Sequence, residues 1–274
     1  MLPGITAHIV PVTSYSALIL ADSPVVYLEL DTALGVGATI TLDSSPNAYH
    51  FSVIGHERDG PDRELTSGAP AAPGTPDGNP PLITEGTCYN FSGAAPPTLA
   101  GLVENPGIAA LQLIGNMTIE CWIDLDTFDT GTGALPGPLY IISQSFSTAN
   151  DSLNNFLWSL TVSATGKLGT HHQFGTQSDV FTESTHSISI NNTHHIVVVR
   201  DTAAKSITYY DNGVEYDTIV YSDNPTGGSA TYTRIGAIFD ASFSLMNGSI
   251  DEVAIYNYML SGADVTAHYN QGTP

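Results

Sequence analysis

Positive charge is what this sequence has least of. Its 274 residues include 6 Lys+Arg against 27 Asp+Glu, giving a net charge of -21. Charged residues are only 12% of the chain, against an ordinary share of about a quarter, so the imbalance comes from missing cations rather than surplus acids. Without a basic stripe to neutralise phosphates, nucleic-acid binding is excluded. An anionic membrane surface repels such a chain. Long apolar runs are also missing: no stretch approaches the ~18–20 residues that cross a bilayer, so no membrane insertion is expected. The opening segment MLPGITAHIVPVTS has neither a cationic n-region nor an unbroken apolar h-region, which predicts synthesis without a Sec signal. Cysteine is scarce, and Cys88 and Cys121 leave open one disulfide or two buried thiols. No G-x-S-x-G elbow or Cys/His signature of a hydrolase occurs.

What is present is β-forming and turn-rich. Hydrophobic residues make up 42% of the chain, enough to bury a core, and 26 Gly with 17 Pro punctuate it. Residues 1–13 read as an extended arm. Ser14 to Asp31 gives a helical or turn piece and a strand over Val25 to Leu30. Residues 55–86 concentrate Pro, Gly and charge and read as a long surface loop within one domain, 14–274. Beyond it the strands come at the spacing of a sandwich. They are Thr87 to Phe91, Met117 to Leu125, Leu139 to Ser143, Phe156 to Val162, Lys167 to Phe174, His195 to Arg200, Ile207 to Tyr210, Val214 to Ile219, Thr233 to Ile238 and Ser249 to Tyr256. HIVVVR at His195 to Arg200 is apolar enough to be covered on both faces. Asp211-Asn212-Gly213 is a hairpin turn, because Asn-Gly accepts positive φ. Ser261 caps a final helix, with Asp264 in its first turn.

The closing stretch, IDEVAIYNYMLS followed by a helix ending in Tyr269-Asn270, resembles the C-terminal signature of laminin G-like domains. So do the opening ADSPVVYLEL, with Leu28 where the family pattern has Trp, the Asp-Ser-Ser-Pro-Asn loop from Asp43 to Asn47, and MTIECWIDL. The resemblance implies an all-β, two-sheet antiparallel jelly-roll sandwich of concanavalin A-like type with a short C-terminal helix. It covers about residues 14 to 270.

The resemblance also suggests sites. Calcium is the cofactor it points to, with Asp43, Asn47 and Asp251 as ligands, although Ser92 stands where a family F-D-G motif has a carboxylate. Glycan stacking would fall to Trp158, Tyr140 and Tyr209, whereas Trp122 is expected to pack between the sheets. Glu120, Asp124, Asp126, Asp251 and Glu252 are the nearest carboxylates to a glucanase pattern. They lack its spacing and read as ordinary exposed strand carboxylates, so no enzyme is expected. The adjacent pairs His171-His172 and His194-His195 point to opposite faces of their strands and cannot share one metal ion. The function expected is a non-enzymatic phage virion structural protein: a capsid decoration, head-fibre or tail-associated subunit on the virion exterior. It would meet other virion subunits or itself through the arm and the 55–86 loop, and bind glycans. The alternative is a secreted, extracellular bacterial carbohydrate-binding module, and the least favoured reading is a glucanase-like hydrolase.

Overall fold

The computed structural model describes residues 14–31, 40–54, 66–67, 82–83, 88–92, 102–128, 137–145, 156–174, 178–226, 232–236 and 246–273. The arm, and most of the 55–86 loop, lie outside these. Chain order runs α1 (Tyr15–Ala21), β1 (Val26–Leu28), β2 (Ile40–Thr41), β3 (Phe51–Ile54), β4 (Thr66–Ser67), β5 (Tyr89–Ser92) and β6 (Leu102–Pro106). After a 3-10 turn come β7 (Met117–Leu125), β8 (Leu139–Ser145), β9 (Phe156–Val162), β10 (Lys167–Phe174) and β11 (Ser178–Ser187). The chain closes with β12 (Thr193–Asp201), β13 (Ser206–Asp211), β14 (Val214–Val220), β15 (Tyr232–Ile235), β16 (Asn247–Tyr256) and α2 (Gly262–Gly272).

These strands form two antiparallel sheets of eight, a jelly-roll sandwich with a short C-terminal helix. The first sheet has the order β14-β13-β12-β7-β16-β5-β4, with β1 also paired to β16. The second has the order β11-β10-β9-β8-β15-β6-β3-β2. Period-two alternation sends Ile119, Cys121 and Ile123 of β7 into the core between the sheets, together with Ile196 and Val198 of β12. Their neighbours Trp122, Val197 and Val199 form a second buried cluster with Tyr15, Ile19 and Val265 of the two helices. The apolar run in β12 is therefore covered on both faces, as its composition implies. The hairpin also matches: Asn212 has φ 53 and Gly213 φ 76, the positive values its turn needs. At α2, Ser261 Oγ accepts from Asp264 N–H while Asp264 returns the bond to Ser261 N–H, a complete capping box.

Several expectations need correction. Trp122 packs under the helices rather than between the sheets. The first strand stops at Leu28, because Leu30 adopts φ 56 and leaves the extended region. Strand β11 is not among the expected strands, because its Ser/Thr-rich composition carries no apolar alternation. Cys88 and Cys121 are buried thiols with no disulfide between them, and they sit in different clusters on opposite faces of the first sheet.

Glu120, expected on an exposed strand face, is 0% exposed at the middle of β7. Its Oε1 accepts from Tyr15 Oη at 3.0 Å and from His195 Nε2 at 2.7 Å. Its Oε2 accepts from Tyr256 Oη at 3.1 Å, and His268 Nδ1 lies 3.0 Å from both oxygens. His268 Nε2 reaches Asp22 Oδ2 at 2.9 Å, and Trp122 Nε1 donates to Tyr15 Oη at 2.9 Å. One carboxylate thus ties α1 and α2 to three strands.

Burial alone would raise the Glu120 pKa, but His268 and His195 outweigh it and hold the carboxyl well below its ordinary 4.5. Burial likewise pushes His268 down, and Glu120 with Asp22 outweighs that, lifting it above 6.5. A depressed acid stabilises above its unfolded pKa and loses that contribution as pH falls through the folded value. A raised base stabilises below its unfolded pKa and loses that contribution as pH rises through the folded value. Both contributions are complete only between about 4.5 and 6.5. Chemical denaturation across pH should therefore show greatest stability in that mildly acidic window. Glu120→Leu, which strands His195 and His268, should cost about 3–5 kcal/mol. A loss below about 1 kcal/mol would show that the network does not hold the helices.

Candidate functional site

With the first sheet's outer face closed by helices, the outer face of the second sheet is left to carry a site. Residues directly opposite on paired strands share a face. The registers Arg234↔Ser143, Ser143↔Ser159, Tyr140↔Thr161, Gly169↔Thr161 and His171↔Phe181 therefore put all these residues on one side. Ile142, Leu160, Val162, Leu168 and Ile235 alternate with them and fill the core. The result is a polar and aromatic face across β15, β8, β9, β10 and β11, on which Phe181 is exposed and His171 half-buried, while Arg234, Ser143, Ser159, Thr161 and Tyr140 are buried.

At its β11 end the surface is aromatic. Tyr140 stacks on Phe156 at 4.9 Å between centroids, and His171 lies 5.8 Å from Tyr140 and 4.5 Å from Phe181. The Phe181 ring lies over Gly169: a Cβ built there would meet two ring carbons at 2.8 Å. Glycine leaves the ring room to lie flat on the sheet, and 46% of Phe181 stays exposed. Lys167 and Glu183 flank it as a partly exposed ion pair at 3.9 Å.

The floor beside the ring is polar. His171 N–H donates to Ser159 Oγ at 3.1 Å. Arg234 Nη1 donates to Ser145 Oγ at 3.1 Å, and its guanidinium sits 4.4 Å from the Tyr232 ring centroid. Ser143 Oγ and Thr161 Oγ1 are buried with no hydrogen-bond partner. A buried hydroxyl left unpaired costs about 1–3 kcal/mol.

Only one of the expected stacking residues belongs to this surface. Tyr140 lies on it but is 2% exposed, so it supports the patch from beneath rather than presenting a ring. Trp158 and Tyr209 are core residues, not platforms. Trp158 Nε1 donates to Leu111 O at 2.9 Å, and Tyr209 Oη bonds within the core to Thr182 Oγ1 at 2.7 Å. Phe181 was not identified from the sequence, and His171 was considered there only as half of an adjacent pair unable to share a metal ion. The available signal was a lone Phe opposite a Gly, and it needs the register to be seen.

The residues proposed for calcium do not form a ligand set. Asp43 Oδ1 accepts from Tyr27 N–H and Ser45 N–H, both at 2.9 Å, while Oδ2 accepts from Ser45 Oγ at 2.8 Å and Tyr49 N–H at 2.7 Å. Its acceptor capacity is used in closing its own loop. Asn47 Nδ2 donates to Val25 O at 2.9 Å, which fastens the same loop to β1. Asp251 is buried in β16 with its Oδ2 lacking a hydrogen-bond partner, and burial with the neighbouring Glu252 lifts its carboxyl well above the usual range. Among the described residues no group of three or more His, Cys, Asp or Glu could hold a metal ion.

A laminin G family model, described as the concanavalin A-like lectin/glucanases superfamily, matches residues 102–266. That is more than half of the chain, and the chain belongs to this superfamily. No curated protein matches it in sequence. Among solved structures it is similar to the binding domain of botulinum neurotoxin DC in complex with rat synaptotagmin II, with TM-score 0.59 and 17% identity over 92% of this chain and 52% of that one. A structure of botulinum neurotoxin type C, described as depending on two ganglioside molecules for cell entry, gives TM-score 0.60 and 17% identity over 92% and 51%. Domain 4 of AbnA, a GH43 extracellular arabinanase from Geobacillus stearothermophilus in complex with arabinotriose, gives TM-score 0.57 and 14% identity over 90% and 98%. The chain spans about half the length of the toxin binding domains it matches. At these identities the likeness shows the fold alone.

The unpartnered Thr161 hydroxyl makes a direct prediction. Thr161→Val keeps the shape and removes a buried group that bonds to nothing, so unliganded stability in urea should be unchanged or higher by about 1 kcal/mol. A loss of that size would show that the hydroxyl is satisfied.

Proposed function

We propose that this member of the concanavalin A-like superfamily is a glycan-binding module that does not cleave glycosidic bonds, with one sugar ring seated on Phe181. The observation that carries this reading is the exposed Phe181 ring over Gly169, in contact with the His171 imidazole. An aromatic face meets the apolar face of a sugar, and neighbouring hydroxyls and ring nitrogens meet its polar edge. The net charge of -21, with Lys167 already paired to Glu183, favours a neutral sugar over a sulfated or carboxylated one. The arabinotriose complex of the arabinanase domain supports a sugar ligand on a similar fold. Glycoside hydrolysis is disfavoured, because Glu120 is fully buried and occupied by four side-chain partners.

The setting we propose is a phage virion, with the module displayed as a capsid decoration, head-fibre or tail-associated subunit. The opening motif, which resembles laminin G-like modules of bacterial and phage proteins, is consistent with this, and the arm at 1–13 would dock the subunit. A secreted bacterial carbohydrate-binding module would use the same surface.

On a glycan array the protein should bind neutral oligosaccharides, and Phe181→Ala should weaken that binding at least about tenfold, or 1.4 kcal/mol, with an unchanged melting temperature. Absence of any glycan signal from the native protein would sink the reading. Deleting residues 2–13 should abolish incorporation into particles while leaving array binding intact; normal incorporation would remove the arm's docking role.

A further inference from the structure

The turn between β11 and β12 gathers three side chains that sugar binding does not use. Ser189 is exposed, and its Oγ lies 3.1 Å from His194 Nε2. His194 Nδ1 lies 2.8 Å from Asp211 Oδ1, and both of these residues are buried. The bonds fix the tautomer. Nδ1–H donates to the carboxylate, and Ser189 N–H donates to Nε2 at 3.2 Å, so the Nε2 lone pair faces Ser189. Asp211 is anchored in turn, because its Oδ2 accepts from His186 Nε2 at 3.0 Å. An exposed hydroxyl, a base within reach of it and a buried carboxylate orienting that base are the relations that activate a serine.

We infer that Ser189 is a nucleophile activated by His194, with Asp211 as the positioning residue, and that the site takes the acyl group of a small neutral ester. Ser189 Oγ attacks the carbonyl carbon, and its proton passes to Nε2. The carbon–oxygen bond to the leaving alcohol then breaks, and that oxygen takes the proton from Nε2. Water reverses the sequence: it attacks the acyl carbon, gives a proton to Nε2, and Ser189 Oγ leaves and recovers that proton.

Ser189 N–H is directed at Nε2 rather than at an oxyanion, and losing one such donor costs about 10²–10³ in rate, so the site turns over slowly. Ile190, 40% exposed beside the serine, offers the acyl chain an apolar contact. Asp124, close to His194, and its neighbour Asp126 oppose an anionic ester.

The test uses the full chain and p-nitrophenyl acetate, with p-nitrophenolate release followed by absorbance and the acetylated residue mapped by peptide mass spectrometry. The expected result is acetylation of Ser189 ahead of every other serine. Ser189→Ala should remove that adduct, and His194→Gln should slow its formation about a hundredfold. Acetylation scattered over many serines, no adduct at Ser189, or equal acetylation of Ser189 in His194→Gln would each overturn the assignment. Peptide mapping of the native chain decides the matter even if His194→Gln misfolds.

Discussion

An ionised carboxylate buried at the centre of a sheet is the constraint on which the rest of this molecule depends. Removing Glu120 from water costs several kcal/mol, and only well-placed donors offset that. The donors arrive from far along the chain: Tyr15 is 105 residues away, His195 75, Tyr256 136 and His268 148. Glu120 is therefore satisfied only when both helices are docked and β7, β12 and β16 are in register. A slip of one residue in β7 would turn Glu120 into the core between the sheets, where the neighbouring side chains are apolar. The network consequently specifies the register of the first sheet as well as the position of both helices.

Closing one face decides where a ligand can go. Helices α1 and α2 occupy the outside of the first sheet over β7, β12 and β16, whose residues are buried on both sides. The second sheet carries hydroxyls and aromatic rings outward, and among the described residues neither helix lies over it. The sandwich is thus asymmetric: one outer face has its central charge saturated, and the other retains hydroxyls without partners at Ser143 and Thr161.

Much of the fold was legible because strand signals here are local. Met117–Leu125, Phe156–Val162 and Lys167–Phe174 coincide with the strands expected, the Asp211-Asn212-Gly213 turn forms as read, and Ser261 caps α2. These depend on β-branched runs, on glycine at positive φ and on a side chain three residues from its target. The site was much less legible, because facing and burial are properties of register. Trp158 and Tyr209 look like platforms in a list of aromatics, yet both point between the sheets. Glu120 looks like a surface carboxylate until three strands and two helices close around it. Phe181 sits in a Ser/Thr-rich segment, and its opposition to Gly169 appears only when β10 and β11 are paired.

The second sheet's surface also shows why a stable fold keeps imperfect groups. Replacing Ser143 or Thr161 by apolar residues of similar shape would remove an unpaired dipole at no cost in packing, so folding alone does not account for them. Strain of this kind is tolerated where a bound molecule relieves it. The ring beside them points the same way. Phe181 is held by the absence of a side chain at Gly169 and by contact with His171, so seating a sugar freezes few additional rotors. A pre-placed ring and unsatisfied hydroxyls on one rigid sheet favour a flat, hydroxyl-bearing ligand over a flexible peptide. Under the glycan reading proposed above, the scarcity of cations favours a ligand carrying no negative charge.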